Sequence, residues 1–437
     1  MPSRGRQQIS NSTQQRLSRH QSPTHHIGLP AREDAKPSML RLLTRPTVPL
    51  GCLRGCPLRR SRSSRSSSSR SRSSSSSSSA AAPKASDPLR ILFCGSDAFS
   101  CESLRALHRE HVRNRALVEA LHVMVLPGRR TGRGLKRLRE VPCKDLAREL
   151  GLPVHQRETF TKWDLTPSTL ELPRGINLVV VVSFGLFVPG RILRCAKYGG
   201  LNVHPSLLPD LRGPAPVHHA VLRGDTHLGV SLQTLDDAAF DHGTVLAQTP
   251  WPGIPIPPDA SFEQVLRSAA ARGADMLVEG LRDGVHVPPH RDAGWRAAQL
   301  AGKPLDHAPK VTKADGQVAW SSWAGDQFVR RVRVLGSVWT ELVSDTGAAR
   351  RVLFLDARAV EAGGATAGGA RGKVVCEEAA AAAAEAGGRV ERDVVVDGEG
   401  VLVNVDGAAA WVRVTRVKVE GKPERPAAMA LKSFIRG

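Results

Sequence analysis

The sequence predicts an α/β protein in which a Rossmann-like, doubly wound domain precedes a small C-terminal β-barrel of the OB-like type. Three observations predict it. A strand (Leu89 to Cys94), a turn at Gly95 and a helix from about Cys101 form the first half of a doubly wound unit. Residues 176–184 are rich in β-branched residues, as in a central strand covered on both faces. After residue 306, short strand patterns recur at near-regular spacing, which favours a barrel.

The first 86 residues differ in composition from the rest of the chain. The 437-residue chain has a formal net charge of +21, and residues 1–86 hold 16 of its 62 basic residues but only two of its 41 acidic ones. Residues 61–79 are almost pure Ser and Arg. An Arg-rich, Ser-rich, acid-poor segment is typical of a mitochondrial presequence, and such a segment cannot order itself. The alternative is an Arg/Ser tract that binds RNA or is phosphorylated.

We therefore expect residues 1–86 to be a disordered presequence that directs the protein to the mitochondrial matrix. Arginines interleaved with leucines begin at Met39, so translation is expected to begin effectively there. Import is expected to remove the chain to a point before Leu89. Imaging of a reporter fused to the first 86 residues would distinguish a mitochondrial presequence from an Arg/Ser tract that directs the protein to the nucleus.

The predicted α/β domain spans residues 87–286. It has one glycine after its first strand, so the three-glycine dinucleotide fingerprint is absent and a nicotinamide cofactor is not expected. Ser261 and Gln264 form a capping-box pattern at the start of a helix that Gly284 ends. Further strands are predicted at 117–126, 201–204, 229–235 and 245–249, and another helix at 141–150.

A glycine-rich basic segment, Pro127 to Leu138, follows the second strand. Five cations lie among its three glycines: Arg129, Arg130, Arg133, Lys136 and Arg137. A flexible backbone with this charge suits a nucleic-acid phosphate chain. An ordinary solvated loop is the alternative.

Residues 287–306 are rich in proline and polar residues and are predicted to form a linker. Residues 307–437 are predicted to form the barrel. Strands are expected at 318–320, 328–335, 338–343, 352–355, 373–376, 401–405 and 411–419. Gly/Ala-rich stretches at 363–372 and 379–388 are expected to be loops, with a possible helix in the alanine run. No apolar run reaches 18 residues, so no membrane span is expected. The seven cysteines lack a metal-site pattern and are expected to be reduced.

The candidate site lies in the stretch Leu201 to Pro216, L-N-V-H-P-S-L-L-P-D-L-R-G-P-A-P. Asn202 and His204 are two residues apart, so on a strand they point to the same side of the sheet. An amide beside an imidazole is a compact pair for hydrogen bonding and proton transfer. A histidine with a purely structural role is the alternative. Ser206 lacks a nucleophile elbow, so acyl-enzyme chemistry is not expected.

These residues resemble the signature of the folate-dependent formyltransferases, specifically the mitochondrial type that acts on methionyl-tRNA. The resemblance begins near Leu89 and continues to the C-terminal end. T-G-R-G-L-K is similar to the family's basic loop, V-V-S-F-G-L-F-V-P to its folate-binding segment, and F-D-H-G at 240–243 to its catalytic acidic turn. Residues 307–320 resemble the junction to its C-terminal barrel.

The resemblance implies formyl transfer from 10-formyltetrahydrofolate, without a metal, to the amino group of initiator methionyl-tRNA, with no DNA or membrane partner and a monomeric enzyme. It implies a catalytic set of Asn202, His204 and Asp241, and assigns the basic loop and the barrel to tRNA. The implied folate contacts are Phe184, Gly185, Leu186, Phe187, Val188, Pro189, Ser206, Leu207, Leu208 and Pro209. Because the acidic turn is one residue longer than expected, Asp236 and Asp237 are further candidates.

Two alternatives remain at this level. One is another 10-formyltetrahydrofolate-dependent formyltransferase or hydrolase that acts on a small substrate and shares the same three residues. The other is a non-catalytic Arg/Ser-rich RNA-binding protein. The second is weakened by the single tyrosine in the chain, since base stacking needs aromatic side chains.

Overall fold

The computed structural model describes residues 84–161, 175–360, 369–378, 388–407 and 410–437. Most of the predicted presequence, the core of both Gly/Ala-rich stretches and the alanine run therefore lie outside the described residues. The first described residues already belong to the folded domain. Lys84 Nζ donates to the Val287 carbonyl at 2.8 Å, and the Asp87 N–H donates to the Tyr198 hydroxyl at 2.8 Å.

The first part of the chain alternates strands and helices, as the sequence predicts. Strands β1 to β11 span Leu89–Gly95, Val118–Val125, Arg129–Thr131, Arg137–Arg139, Val154–Gln156, Leu178–Val182, Gly200–His204, His227–Leu228, Ser231–Thr234, Val245–Gln248 and Ile254–Pro255. Helices α1 to α6 span Ala98–Arg113, Pro142–Glu149, Gly190–Cys195, Pro216–Arg223, Phe262–Arg282 and Trp295–Gln299.

Seven of these strands form one sheet in the order β10-β9-β7-β6-β1-β2-β5. β5, β2, β1, β6 and β7 run parallel, whereas β9 and β10 are antiparallel additions at one edge. The chain moves outward from β1 to β2 and β5, then returns to β6 on the other side of β1. This reversal creates a crevice at the carboxyl ends of β1 and β6, where open α/β sheets bind their ligands.

Apolar side chains cover both faces of this sheet. Ile91 and Phe93 of β1 point to the face packed by α1 and α5, while Leu92 and Cys94 point to the other. β6 is buried along its whole length, so its run of four valines correctly predicts a central strand. The predicted capping box of α5 is confirmed, because Ser261 and Gln264 exchange side-chain and backbone hydrogen bonds.

The segment predicted as an open basic loop is instead a short hairpin. β3 and β4 pair antiparallel, and a single 3-10 turn over Arg133–Leu135 lies at the tip. Gly132 and Gly134 have φ of 80° and 73°, a conformation that glycine adopts without strain and that reverses the chain between the strands.

The second part of the chain is an antiparallel sheet with two helices. Strands β12 to β20 span Val338–Val343, Ala349–Phe354, Arg358–Val360, Ala370–Glu377, Arg389–Asp397, Gly400–Asn404, Trp411–Val414, Arg416–Val419 and Glu424–Pro426. They form one sheet in the order β14-β18-β17-β16-β15-β12-β13-β19-β20. Helices α7 and α8 span Gly325–Leu335 and Ala427–Ala430. The core includes Trp320, Phe328 and Phe354.

Three predictions for this part are wrong in detail. The strand expected at 328–335 is helix α7: Phe328 and Val332 are buried at helical spacing, and Gly336 ends the helix with a φ of 76°. Residues 318–320 contain no strand. The residues predicted as one strand at 411–419 form two, β18 and β19. Strand β16 was not predicted.

Residues 287–306, predicted as a linker, pack closely on the first sheet. The Ala293 N–H donates to the Val245 carbonyl at 2.7 Å, and Trp295 Nε1 donates to the Thr249 carbonyl at 2.9 Å. None of the helices in the described ranges is long and apolar enough to cross a membrane. Within those same ranges, no three His, Cys, Asp or Glu side chains group as a metal ion would require.

Candidate active site

The structure brings Asn202, His204 and Asp241 together. Asn202 and His204 lie on β7 with one residue between them, and Asp241 lies in the turn between β9 and β10. Asn202 Nδ2 donates to Asp241 Oδ1 at 3.2 Å, and His204 Nδ1 lies 3.3 Å from the same oxygen. The side chains of His204 and Asp241 are both more than nine-tenths buried. The three groups therefore form one connected network at the end of a strand.

Asp241 is the centre of this network. Its Oδ1 also accepts from Gln233 Nε2 at 3.2 Å, and its Oδ2 accepts from the Gly213 N–H at 3.0 Å. Burial by itself raises the pKa of this carboxyl group, but His204, the Gly213 N–H and Gln233 together hold the pKa below its ordinary value. Asp241 has a φ of 60°, unusual for a non-glycine residue and typical of a functional turn.

Both ring nitrogens of His204 face acceptors. Nδ1 lies against Asp241, and Nε2 lies 3.0 Å from the Leu211 carbonyl oxygen. A neutral imidazole has one N–H and satisfies only one of these acceptors, whereas the protonated ring donates to both. Asp241 and the Leu211 carbonyl therefore hold the ring between them and fix its orientation.

A cavity of about 530 Å³ opens beside this network. It lies at the carboxyl ends of β1, β6 and β7, where the order of the strands reverses. Asp97 and Ser183 line it on the side of β1 and β6, and Phe187 and Phe240 meet edge to face at 5.1 Å on its wall. The walls are mainly apolar and the polar groups converge at one end, as expected for a flat heterocyclic ligand that carries a reactive group.

The residues predicted to contact folate fall into two groups. Residues 184–188 line the cavity. Pro189 instead precedes helix α3, and Ser206 to Pro209 do not line the cavity. Ser206 Oγ donates to the Asp210 carbonyl at 2.7 Å, and the Leu208 N–H donates to Ser231 Oγ at 3.1 Å. Residues 206–209 belong to the loop after β7, and these hydrogen bonds hold that loop in place.

The predicted tRNA contacts lie on the β3–β4 hairpin, with Arg129 and Arg130 on β3, Arg133 at the start of the tip, and Lys136 and Arg137 on the return. Arg129, Arg130, Lys136 and Arg137 are exposed. The hairpin leaves the carboxyl end of β2, so it projects from the same edge of the sheet as the cavity. Leu135 and Leu138 are also exposed on it.

The other acidic candidates do not join the network. Asp236 accepts from the Ala238 and Ala239 N–H groups at 2.8 Å and shapes the turn, and Asp237 pairs with Arg194 at 3.3 Å. Ser206 does not join the network either, since its Oγ donates to the Asp210 backbone carbonyl.

Sequence reasoning missed several groups that hold Asp241. Gln233 reaches it from β9, the Gly213 N–H from the loop after β7, and Arg212 Nε donates to its backbone carbonyl at 2.8 Å. Arg212 and Gly213 belong to the R-G-P-A-P stretch, which was already part of the candidate site predicted from the sequence. Gln233 had none, because only the pairing of β9 with β7 sets it opposite Asn202.

Comparisons with known proteins agree with this geometry. Residues 89–281 match the family model described as Formyl transferase. The chain is 33% identical over 279 residues to the mitochondrial methionyl-tRNA formyltransferase of Saccharomyces cerevisiae, covering 57% of this chain and 68% of the relative. It is 33% identical to the mitochondrial enzyme of Bos taurus, of which the alignment spans 58%. It is 32% identical to the methionyl-tRNA formyltransferase of Cereibacter sphaeroides, covering 63% of this chain and 83% of the relative.

The fold and the site define a formyl transferase. The chain belongs to the methionyl-tRNA formyltransferase family. The alignments span between about three fifths and four fifths of the relatives' own length.

Proposed function

We propose that this protein transfers the formyl group of 10-formyltetrahydrofolate to the amino group of initiator methionyl-tRNA for mitochondrial translation. The observation that carries the proposal is the convergence of Asn202 and His204 on Asp241 beside an apolar-walled cavity. Relatives named as mitochondrial methionyl-tRNA formyltransferases support the same substrate and compartment.

The cavity fits the pterin end of a folate. Its walls include Phe184, Leu186 and Phe187, and it lies at the switch point of the sheet. Residues 184–188 would hold the pterin ring. Pro189 and residues 206–209 would support the cavity wall without touching the folate. When bound, 10-formyltetrahydrofolate supplies the formyl carbon that the methionyl amine attacks.

The polar network supplies the remaining chemistry. Asn202 retains a second N–H, and with the charged ring of His204 it can stabilise the oxygen that gains negative charge during attack. Asp241 orients the imidazole and pairs with the ring when the ring is charged. The attacking nitrogen must lose a proton and the leaving nitrogen must gain one. A neutral His204 would take the first proton and give it to the leaving nitrogen, with Asp241 as the partner of the ring while it is charged.

The substrate tRNA would be held by the basic hairpin and by the C-terminal domain, which we infer to be an OB-like barrel. The exposed cations of the hairpin lie at the same sheet edge as the site, where they can attract phosphates. We place the mature enzyme in the mitochondrial matrix as a monomer, after removal of a presequence within residues 1–86.

One assay tests the proposal. Purified protein is incubated with 10-formyltetrahydrofolate and, in parallel, with charged initiator tRNA, charged elongator tRNA or small amines. Rapid formylation of the initiator substrate is expected. Preference for a small amine, or release of free formate alone, would favour one of the other folate-dependent enzymes. RNA binding without any turnover would favour the non-catalytic alternative.

His204→Ala provides the matched variant. We expect it to abolish formylation while binding of a folate analogue persists, because His204 does not belong to the apolar wall. Near-normal turnover of His204→Ala would remove the proposed mechanism.

A further inference from the structure

Gln233 lies at the centre of the site without an assigned role. It is on β9 directly opposite Asn202 of β7, is 1% exposed, and lines the cavity. Its Nε2 donates to Asp241 Oδ1 at 3.2 Å. Asn202, His204 and Gln233 therefore share one carboxylate oxygen.

The orientation of the Gln233 amide follows from its neighbour. An ionised carboxylate only accepts hydrogen bonds, so the amide nitrogen must face Asp241 and the amide oxygen must face away. In that orientation Gln233 Oε1 is buried and has no hydrogen-bond partner among the residues that the structure describes. A buried acceptor without a partner is costly, so a donor from a bound reactant would stabilise this arrangement.

We propose that Gln233 is a positioning residue for Asp241 and that its Oε1 accepts an N–H of the attacking amine. The inference rests on the proposed function for the identity of that amine. An amine is the one reactant of formyl transfer that carries N–H groups at the reacting atom, and Gln233 lies beside the groups that would act on it.

The electrostatic surroundings explain why a neutral amide suits this position. Among the described residues, the ionisable groups that face Asp241 are His204, at its Oδ1, and Arg212, whose Nε donates to its backbone carbonyl. A further cation at position 233 would compete with His204 for the carboxylate. Glutamine adds a donor without adding charge, so it fixes the carboxylate while leaving His204 as its counter-ion.

Two variants separate the roles of the amide. Gln233→Met keeps the size of the side chain and removes both donor and acceptor. Gln233→Glu keeps an oxygen and regains a donor only when the new carboxyl group is protonated. Thr249→Val is the matched control, because it removes a buried side-chain hydrogen bond to Val230 from the same sheet without contacting Asp241.

The full-length protein is assayed with charged initiator tRNA across pH, and Asp241 is titrated by NMR with carboxyl-labelled aspartate. For Gln233→Met we expect a roughly tenfold fall in kcat, a nearly unchanged KM for 10-formyltetrahydrofolate, and a titration midpoint of Asp241 above that of the wild type. For Gln233→Glu we expect activity that falls as pH rises, because an ionised Glu at 233 repels Asp241.

Wild-type kcat and an unshifted Asp241 titration in Gln233→Met would overturn the proposal. A Gln233→Glu pH profile with the wild-type shape would overturn it even if Gln233→Met fails to fold. A similar loss of kcat in Thr249→Val would also overturn it, by attributing the effect to general weakening of the sheet. If the wild type does not formylate methionyl-tRNA, the proposed function fails, whereas a shifted Asp241 titration would still support the positioning role.

Discussion

Asp241→Asn tests the site most directly, because the substitution keeps the shape of the side chain and removes its charge. The carboxylate receives four donors: Asn202, Gln233 and His204 on Oδ1, and the Gly213 N–H on Oδ2. An asparagine at this position loses the counter-ion of His204. It also turns one acceptor into an NH2 group that faces one of these donors.

The expected loss follows from what the carboxylate does for its neighbours. Loss of a preorganised electrostatic group in a buried site lowers kcat by about 10²–10³-fold, or roughly 2.7–4 kcal/mol in the barrier. We expect a loss in this range for Asp241→Asn, with the binding of a folate analogue close to that of the wild type. Single-turnover formylation of charged initiator tRNA measures the first quantity, and fluorescence titration the second.

Asp237→Asn is the control, since Asp237 lies in the same turn, is exposed, and pairs only with Arg194 among its described contacts. It should keep wild-type turnover. If Asp241→Asn stays within threefold of the wild type, the carboxylate does not act on the reaction and the network is structural. If Asp237→Asn loses as much as Asp241→Asn, the effect belongs to the turn rather than to Asp241.

The same substitution should also change how the free energy of unfolding depends on pH. The native pKa of Asp241 lies below its unfolded value of about 3.9, so its contribution to stability is present above that pH and is lost as the pH falls through the native pKa. The free energy of unfolding of Asp241→Asn should therefore depend less on pH in the acid range than that of the wild type. Denaturant titrations between about pH 2 and pH 6 measure the difference. Parallel curves for the two proteins would contradict the lowered pKa.

Three further predictions concern other parts of the molecule. Arg133→Lys should impair formylation of the tRNA substrate at every salt concentration while folate binding stays nearly intact, because lysine lacks the planar fork of arginine; wild-type behaviour would mark the hairpin as an ordinary solvated surface. Gly243→Ala should destabilise the protein by several kcal/mol in denaturant unfolding, because a Cβ there would lie 1.7 Å from the Thr234 carbonyl oxygen; an unchanged midpoint would refute this packing. N-terminal sequencing of the mitochondrial protein should find a mature end at or before Lys84, since this side chain bonds the Val287 carbonyl; an end beyond it would contradict that contact.

The sequence by itself determined the α/β class and the identity of the central site residues. The four-valine run of β6, the single glycine after β1 and the capping box of α5 are local signals, because each depends on residues close together in the chain. Asn202 and His204 were also visible locally, since two residues on one strand share a face whatever the strand packs against. The resemblance of residues 240–243 to the family's acidic turn then pointed to Asp241.

Only the tertiary structure decided which carboxylate joins that pair and what holds it there. Asp236, Asp237 and Asp241 lie within six residues, and only the resemblance placed Asp241 first among them, because the turn between β9 and β10 sets their directions. Gln233 became part of the site through the pairing of β9 with β7, a contact between segments some thirty residues apart. Helix α7 was mistaken for a strand because β-branched residues satisfy either period in a short segment, and burial of Phe328 and Val332 against the second sheet selected the helix. Contacts between distant segments determine these features, and the local pattern of residues along the chain does not specify which segments will pack together.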